Sequence, residues 1–263
     1  MATTKTPKLI KSIWGPYYSA MVPNCWLNEA GQSASGKLLD FLTTCHPAYP
    51  ILKAKSDESK KSIYETLDTI LKNLANERGL KLSDISTLTK SIHVYPDFHG
   101  NRSPLADNQM TGAICGLKID SSLENLAVLY LASMQSLAYQ TKHIVELMKL
   151  NGCNFKIITV IGGLASNRMY CQLLSDIIEL PVLVSTEKVD SIVLLGSSIL
   201  GASNYQEYEN TSFVNLIKQF GQSNLVEPLL PDYHLKQFHQ KKYSVYLKMC
   251  DDQLHYRNLM QDN

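Results

Sequence analysis

Residues 156–167 read K-I-I-T-V-I-G-G-L-A-S-N, and this stretch narrows the possible folds more than any other. The apolar run 156–161 has no alternation, which predicts a strand buried on both faces. It stops at Gly162-Gly163, where backbone without a Cβ can turn sharply or approach a ligand closely. A helix is expected over 168–179, a second buried strand over 181–185 (P-V-L-V-S), and an apolar helix over 192–202 whose small residues allow close packing. Strand, helix, strand, helix is the signature of an α/β domain. The helix after the glycines would offer unpaired amides and the positive end of its dipole to phosphate or polar ligand atoms. Asn167 can both donate and accept, as recognition of a base or ribose requires. The plain alternative is a tight turn with no ligand.

The rest of the chain supplies elements around this unit. Residues 13–27, rich in Trp, Tyr and Val and broken by Pro16 and Pro23, predict a strand or hairpin. Residues 33–42 can form a helix with Leu38, Leu39 and Leu42 on its apolar stripe. The polar stretch 53–59 is expected as a loop. Ile63, Leu67, Ile70, Leu71 and Leu74 share a helical face, and Gly79 is a natural stop. Residues 91–95 suggest a short strand running into a loop, 96–107, too rich in Pro, Gly and charge for a core element. The longest helix signal follows: Ser121 and Glu124 have capping-box spacing, and the apolar stripe runs from Leu123 to Met148 before Asn151-Gly152. The organisation expected is a disordered leader over 1–12, one lobe over 13–205 and a helical extension over 206–263, with Leu235, Phe238, Tyr246, Leu247, Cys250 and Leu254 as its core contacts.

Composition excludes several function classes. A chain of 263 residues can bury a real hydrophobic core. A net charge of +1 with no long basic run gives no nucleic-acid footprint. No apolar run approaches the roughly 18–20 residues of a membrane span, and the first residues lack the apolar core of a secretory signal. Six cysteines without a C-x-x-C pair predict free thiols in a reducing compartment, the cytoplasm. The seven histidines do not cluster at metal spacing; His234 and His239, five apart, fall on different helix faces. No metal site is expected from the chain's own residues.

The stretch 28–39, N-E-A-G-Q-S-A-S-G-K-L-L, raises a separate question. Gly31, Gly36 and Lys37 have P-loop spacing, but Leu38 stands where the magnesium-binding hydroxyl should be. Leu38 also belongs to the helical stripe, which would put Lys37 inside a helix. The remaining readings are a helix start built from cap-forming Gly, Gln and Ser, or a ligand site of another geometry.

Four motifs in one order decide between them. W-L-N-E-A-G-Q-S-A-S-G-K-L-L-D at 26–40, D-F-H-G-N-R-S-P-L-A-D at 97–107, G-A-I-C-G-L at 112–117 and G-G-L-A-S-N at 162–167 together resemble the C-terminal lobe of FGGY carbohydrate kinases, in particular the ribulokinase-like branch. L-Y-L-A-S-M-Q at 129–135 is similar to part of that family's second signature, with wider spacing from Gly116-Leu117. The resemblance implies an actin-like, ribonuclease-H-like ATPase lobe, incomplete at its N-terminal strands and carrying a helical C-terminal tail. It implies that two lobes close over a cleft in which ATP phosphorylates a sugar hydroxyl, D-ribulose or a related ketopentose. Gly162, Gly163 and Asn167 would then line the adenosine, Gly31 and Ser35 the nucleotide from the next helix, and Glu29 would accept from sugar hydroxyls. Glycerol kinases often carry Gln at the position of Ser35. Arg102 would face phosphate or a carboxylate that positions its loop. ATP is the implied cofactor, with Mg2+ held mainly through its phosphates.

The family's general-base aspartate, in a D-A-H-A-G-like or G-D-Q-like segment, and its G-T-S-T-like phosphate loop should precede Trp14. Neither is present in the thirteen residues before it. The expectation is therefore a chain without catalytic residues of its own, inactive alone, whose partners are a sugar and an N-terminal kinase lobe. The alternative is a non-catalytic nucleotide-binding or interaction module, since actin-like lobes also serve in chaperones and filaments.

Overall fold

The computed structural model of the chain describes residues 1–184, 189–205, 211–220 and 228–261. Ser185, the expected end of a strand, lies outside the described residues, as do 206–210 and 221–227 of the expected extension.

The first sheet is antiparallel, with strands β1 (Ala2–Thr4), β2 (Trp14–Tyr18) and β3 (Trp26–Glu29) in the order β1-β3-β2. β2 and β3 are the expected hairpin, with Trp14 opposite Glu29. The leader over 1–12 is not disordered. Ala2–Thr4 pairs with β3, and Ala2 and Ile10 are buried with Ile13, Ile144, Met148 and Cys153. Two small apolar groups and the open hydrogen-bonding edge of β3 suffice to order this segment.

Helix α1 (Gly36–Thr44) buries Leu38, Leu39 and Leu42, as its stripe predicts. The expected loop at 53–59 is instead the body of α2 (Tyr49–Ser59). Pro50 sits in its first turn, where a missing N–H costs nothing. Lys, Ala and Glu are good helix formers, and Leu52 and Ser56, four apart, are the buried pair. Polarity here marks a solvated helix face. α3 (Ile63–Glu77) starts at a capping box formed by Ser62 and Glu65 and ends before Gly79, whose φ is +68°. A 3-10 segment (Leu82–Thr89) leads to β4 (His93–Tyr95), which pairs antiparallel with β5 (Ala113–Cys115).

α4 (Leu123–Leu150) is the spine of the lobe. Its cap is Ser122, which accepts from the Asn125 N–H, one residue beyond the expected Ser121. Leu126, Ala127 and every residue from 129 to 140 are buried, polar ones included, so the helix is enclosed by α1, α3 and the helices Arg168–Ile178 and Lys236–Leu259. A one-sided stripe understates this.

β6 (Ile158–Val160) and β7 (Val182–Val184) pair in parallel, with a 3-10 turn (Gly163–Ser166) and α5 (Arg168–Ile178) between them. β6 is not buried on both faces. Ile158 and Val160 pack on the core, while Ile157 and Ile161 are 44% and 58% exposed. The strand does alternate, but apolar residues occupy its outer face as well, which hides the period of two. α6 (Val189–Ala202) and α7 (Phe213–Phe220) follow. α8 (Lys236–Leu259) returns to the core through Tyr243, Tyr246, Met249 and Cys250.

The loop 96–107 is irregular, as expected, yet Asp97, Asn101 and Ser103 are buried. They are satisfied by hydrogen bonds rather than excluded by polarity. All six cysteines are free; Cys45 and Cys115 are exposed. Among the described residues no helix is long and apolar enough to cross a membrane.

Candidate functional site

Two turns carry the residues singled out in the sequence. The first leaves β3 at Glu29 and enters α1. Gly31 N–H donates to Ser103 Oγ at 3.4 Å, and Gln32 Nε2 donates to the Leu137 carbonyl at 2.7 Å and to Thr141 Oγ1 at 3.2 Å. Ser35 is the N-terminal cap residue of α1, but its side chain caps nothing. Glu29 is half-buried, and its carboxylate forms no hydrogen bond or ion pair with any described residue. Gly36 and Lys37 open α1, so Lys37 stands exposed in the first turn rather than inside the helix as expected, while Leu38, at the place of the P-loop hydroxyl, is buried in the core.

The second turn links β6 to α5. Gly162 has φ +96° and ψ −173°, a backbone conformation open essentially to glycine alone. A Cβ built on Gly162 or Gly163 would meet nothing within 4 Å, so the peptide lies bare on its outer side. Asn167 Oδ1 accepts from the Tyr170 N–H at 2.8 Å, capping α5, while its Nδ2 donates to Tyr130 Oη at 2.7 Å. Both ends of this amide are spent within the lobe, where they hold the turn.

Tyr130 extends that contact. Its ring stacks on Tyr64 at 5.6 Å with planes 18° apart, and the Tyr64 hydroxyl donates to Asp40 of α1. The Asp68 carboxyl lies beside the Tyr130 hydroxyl. Burial pushes Asp68 up to about 6, against the pull of Lys72, and its Oδ1 is buried without a hydrogen-bond partner.

A single face of α4 brings the two turns together. Tyr130, Met134, Leu137 and Thr141 follow one another by three or four residues and therefore share a side of the helix. Asn167 reaches Tyr130 and Met134, and Gln32 reaches Leu137 and Thr141. The Tyr170 hydroxyl, buried at the start of α5, is held against the same Thr141. The two anchor points lie about 10 Å apart along the axis, seven residues at 1.5 Å each.

The loop 96–107 braces the first turn. Asp97 accepts from Asn101 Nδ2 at 2.7 Å and from Gln140 Nε2 of α4 at 2.6 Å, and burial raises its carboxyl pKa despite these bonds. Ser103 Oγ in turn donates to the Ser12 carbonyl. Arg102 does not meet a carboxylate. Its guanidinium lies 4.4 Å from the centre of the Trp14 ring and against Gly31. Gln32, Tyr130, Asp68 and Trp14 were not among the expected site residues. Gln32 stood within the motif but read as a cap former, and Trp14 opened the hairpin as an aromatic; Tyr130 lay in the signature-like stretch 129–135 without being singled out, and Asp68 looked like an ordinary helix position.

Cavities of about 430 Å³ and 630 Å³ lie elsewhere. The first is between His46 and Ile119, the second along α5 from Arg168 to Asp176 against Lys72. Neither is lined by Glu29, Gly31, Ser35, Gly162, Gly163 or Asn167.

Residues 1–205 match the model of the FGGY family of carbohydrate kinases, C-terminal domain. The chain belongs to the FGGY family. Over 263 residues it is 39% identical to a human FGGY carbohydrate kinase domain-containing protein, of which it covers 46%. It is 36% identical over 208 residues, 79% of this chain, to a D-ribulokinase of Saccharomyces cerevisiae, of which it covers 29%. It thus spans about half the length, or less, of the curated relatives it matches. The structure resembles a xylulose kinase from Rhodospirillum rubrum with a TM-score of 0.68 at 15% identity, covering 97% of this chain and 45% of that one. The fold is the actin-like one of FGGY sugar kinases, seen here as a C-terminal domain. In the FGGY chain the match includes β1, so the first twelve residues belong to the domain. Among its described residues no three His, Cys, Asp or Glu side chains gather as a metal ion would require.

Proposed function

We propose that this chain forms the ATP side of a kinase that phosphorylates D-ribulose or a related ketopentose. One observation carries the reading: the Glu29–Ser35 turn and the Gly162–Asn167 turn are pinned to one face of α4, with an unspent carboxylate at the first and bare peptide at the second. The spacing suits a sugar and a nucleotide meeting between them. The yeast relative is a D-ribulokinase, which supports a ketopentose.

Each residue has a role in this reading. Glu29 accepts from two vicinal hydroxyls of the sugar, a charge-assisted pairing that orients the acceptor. Gly162 and Gly163 let the backbone lie against adenosine, and Asn167 keeps that backbone in place through Tyr130 and Tyr170. Gly31 and Ser35 border the phosphates. Mg2+ would arrive with the nucleotide, neutralising charge on the phosphates. Phosphoryl transfer depends on positioning and charge stabilisation across a closed cleft. The base and the phosphate loop belong to the opposite lobe, so this chain binds nucleotide weakly and phosphorylates nothing unaided. Six free thiols suit a cytoplasmic setting.

Calorimetry and turnover on the purified chain test this. ATP binding is expected to fall in Gly163→Val and persist in Lys37→Ala, and D-ribulose binding to vanish in Glu29→Ala. Phosphorylation of D-ribulose above blank, abolished by Glu29→Ala, would overturn the claim of inactivity. Nucleotide binding with no sugar binding would favour a non-catalytic nucleotide module instead.

A further inference from the structure

Beside the sugar-side turn stands a charged group that no pairing inside the lobe consumes. Arg102 leaves the loop 96–107 and lays its guanidinium 4.4 Å from the centre of the Trp14 ring. It also stands over Gly31, where a Cβ would meet the guanidinium carbon at 3.4 Å. Trp14 is the cross-strand partner of Glu29, so both side chains leave the same face of the β2–β3 hairpin. Arg102 and Glu29 are therefore both neighbours of Trp14. Neither side chain makes an ion pair or hydrogen bond with any described residue, and they do not pair with each other.

An exposed arginine left to itself moves freely among rotamers. This one rests on the Trp14 ring and stands over the bare face of Gly31 while its five N–H donors stay unused. Its own loop is tied down beneath it by Asp97, Asn101 and Ser103. A planar, pre-oriented fork of donors matches the paired oxygens of a phosphate or a carboxylate, and of these the ligands of a kinase supply phosphate. The neighbouring Glu29 would repel such an anion unless hydroxyl groups lay between the two. A molecule with hydroxyls at one end and a phosphoryl group at the other satisfies both.

We infer that Arg102, seated on Trp14 beside Gly31, receives a phosphoryl group next to the hydroxyl-binding Glu29. The inference rests on the sugar-kinase reading and adds a phosphate-binding residue to it. The phosphoryl group can come from a sugar phosphate or from the end of a nucleoside triphosphate; the chemistry recognised is the same. Arg102 is expected to hold this group in place by charge and by two parallel N–H···O bonds.

The test is calorimetry on the full chain with D-ribulose, D-ribulose 5-phosphate, ADP and ATP, comparing wild type, Arg102→Met and Glu29→Ala, with thermal melts to confirm folding. Arg102→Met keeps the aliphatic packing on Trp14 and removes only the donors. It should weaken D-ribulose 5-phosphate or ATP by about tenfold, the scale of one charge-assisted hydrogen bond, and leave D-ribulose and ADP unchanged. Loss confined to the sugar phosphate, or to ATP relative to ADP, identifies the source. If Arg102→Met binds both phosphorylated ligands like wild type while Glu29→Ala loses D-ribulose, Arg102 is only a brace and the inference falls with the kinase reading intact. If the wild-type chain binds neither sugar nor nucleotide, both fall.

Discussion

Asp68 shows how one residue can lie behind a site without touching it. Burial disfavours its ionised form and raises its pKa to about 6, with Lys72 opposing and Glu65 reinforcing the shift. A carboxyl whose pKa is higher in the folded state binds its proton more tightly there than in the unfolded chain. Stability is therefore lost as pH rises from the ordinary carboxylate value of about 4 through 6, and the cost persists above. Asp68→Asn keeps an acceptor beside Tyr130 and removes that cost. Thermal unfolding should show a higher midpoint for the variant near neutral pH and little difference near pH 4; an equal shift at both values would contradict it. Nothing in the sequence around Asp68 signalled this, because Tyr130 comes from α4 and the burial that sets the charge state of Asp68 is tertiary. Glu29 was legible, since its motif names it, but its unpaired state was not.

Among the elements, the Gly162–Asn167 turn separates two reasons for a glycine. Gly162 is needed for its backbone angles and Gly163 for the room outside it. Gly162→Ala should cost about 1–3 kcal/mol of stability from backbone strain. Gly163→Val should stay within about 0.5 kcal/mol, as surface changes do, and impair nucleotide binding instead. Urea unfolding of the two variants distinguishes these outcomes; equal stability losses would remove the distinction. The sequence pointed to strand, glycines and helix in the right order. It overstated the burial of β6 because an apolar residue does not disclose which face it occupies. It missed α2 because charged residues on a solvated helix resemble a loop when read without their buried neighbours Leu52 and Ser56.

Across the whole molecule, α8 closes the core that α4 organises. Tyr246 is 2% exposed, with ring contacts to Tyr95 at 5.5 Å, Tyr139 at 6.3 Å and Tyr243 at 5.8 Å. Tyr95 donates to Cys250 of the same helix at 3.3 Å. Tyr246→Ala should cost about 3–5 kcal/mol, the usual price of emptying a large core site, and lower the midpoint of one cooperative transition. The Tyr246 hydroxyl is buried without a hydrogen-bond partner, so Tyr246→Phe should be neutral or stabilising. Separate melting of an α8 unit, read by circular dichroism against tyrosine fluorescence, would show the extension to be independent of the lobe. What the sequence determined by itself was local: turn glycines, helix stripes and the four motifs that mark the FGGY family, all set by backbone preference and residue spacing. Only the tertiary structure decided that Gln32 and Asn167 hang on one face of α4, that Arg102 stacks on Trp14 rather than on a carboxylate, and that the first twelve residues are ordered. Those outcomes depend on which distant segments exclude water from one another, and no local pattern encodes that.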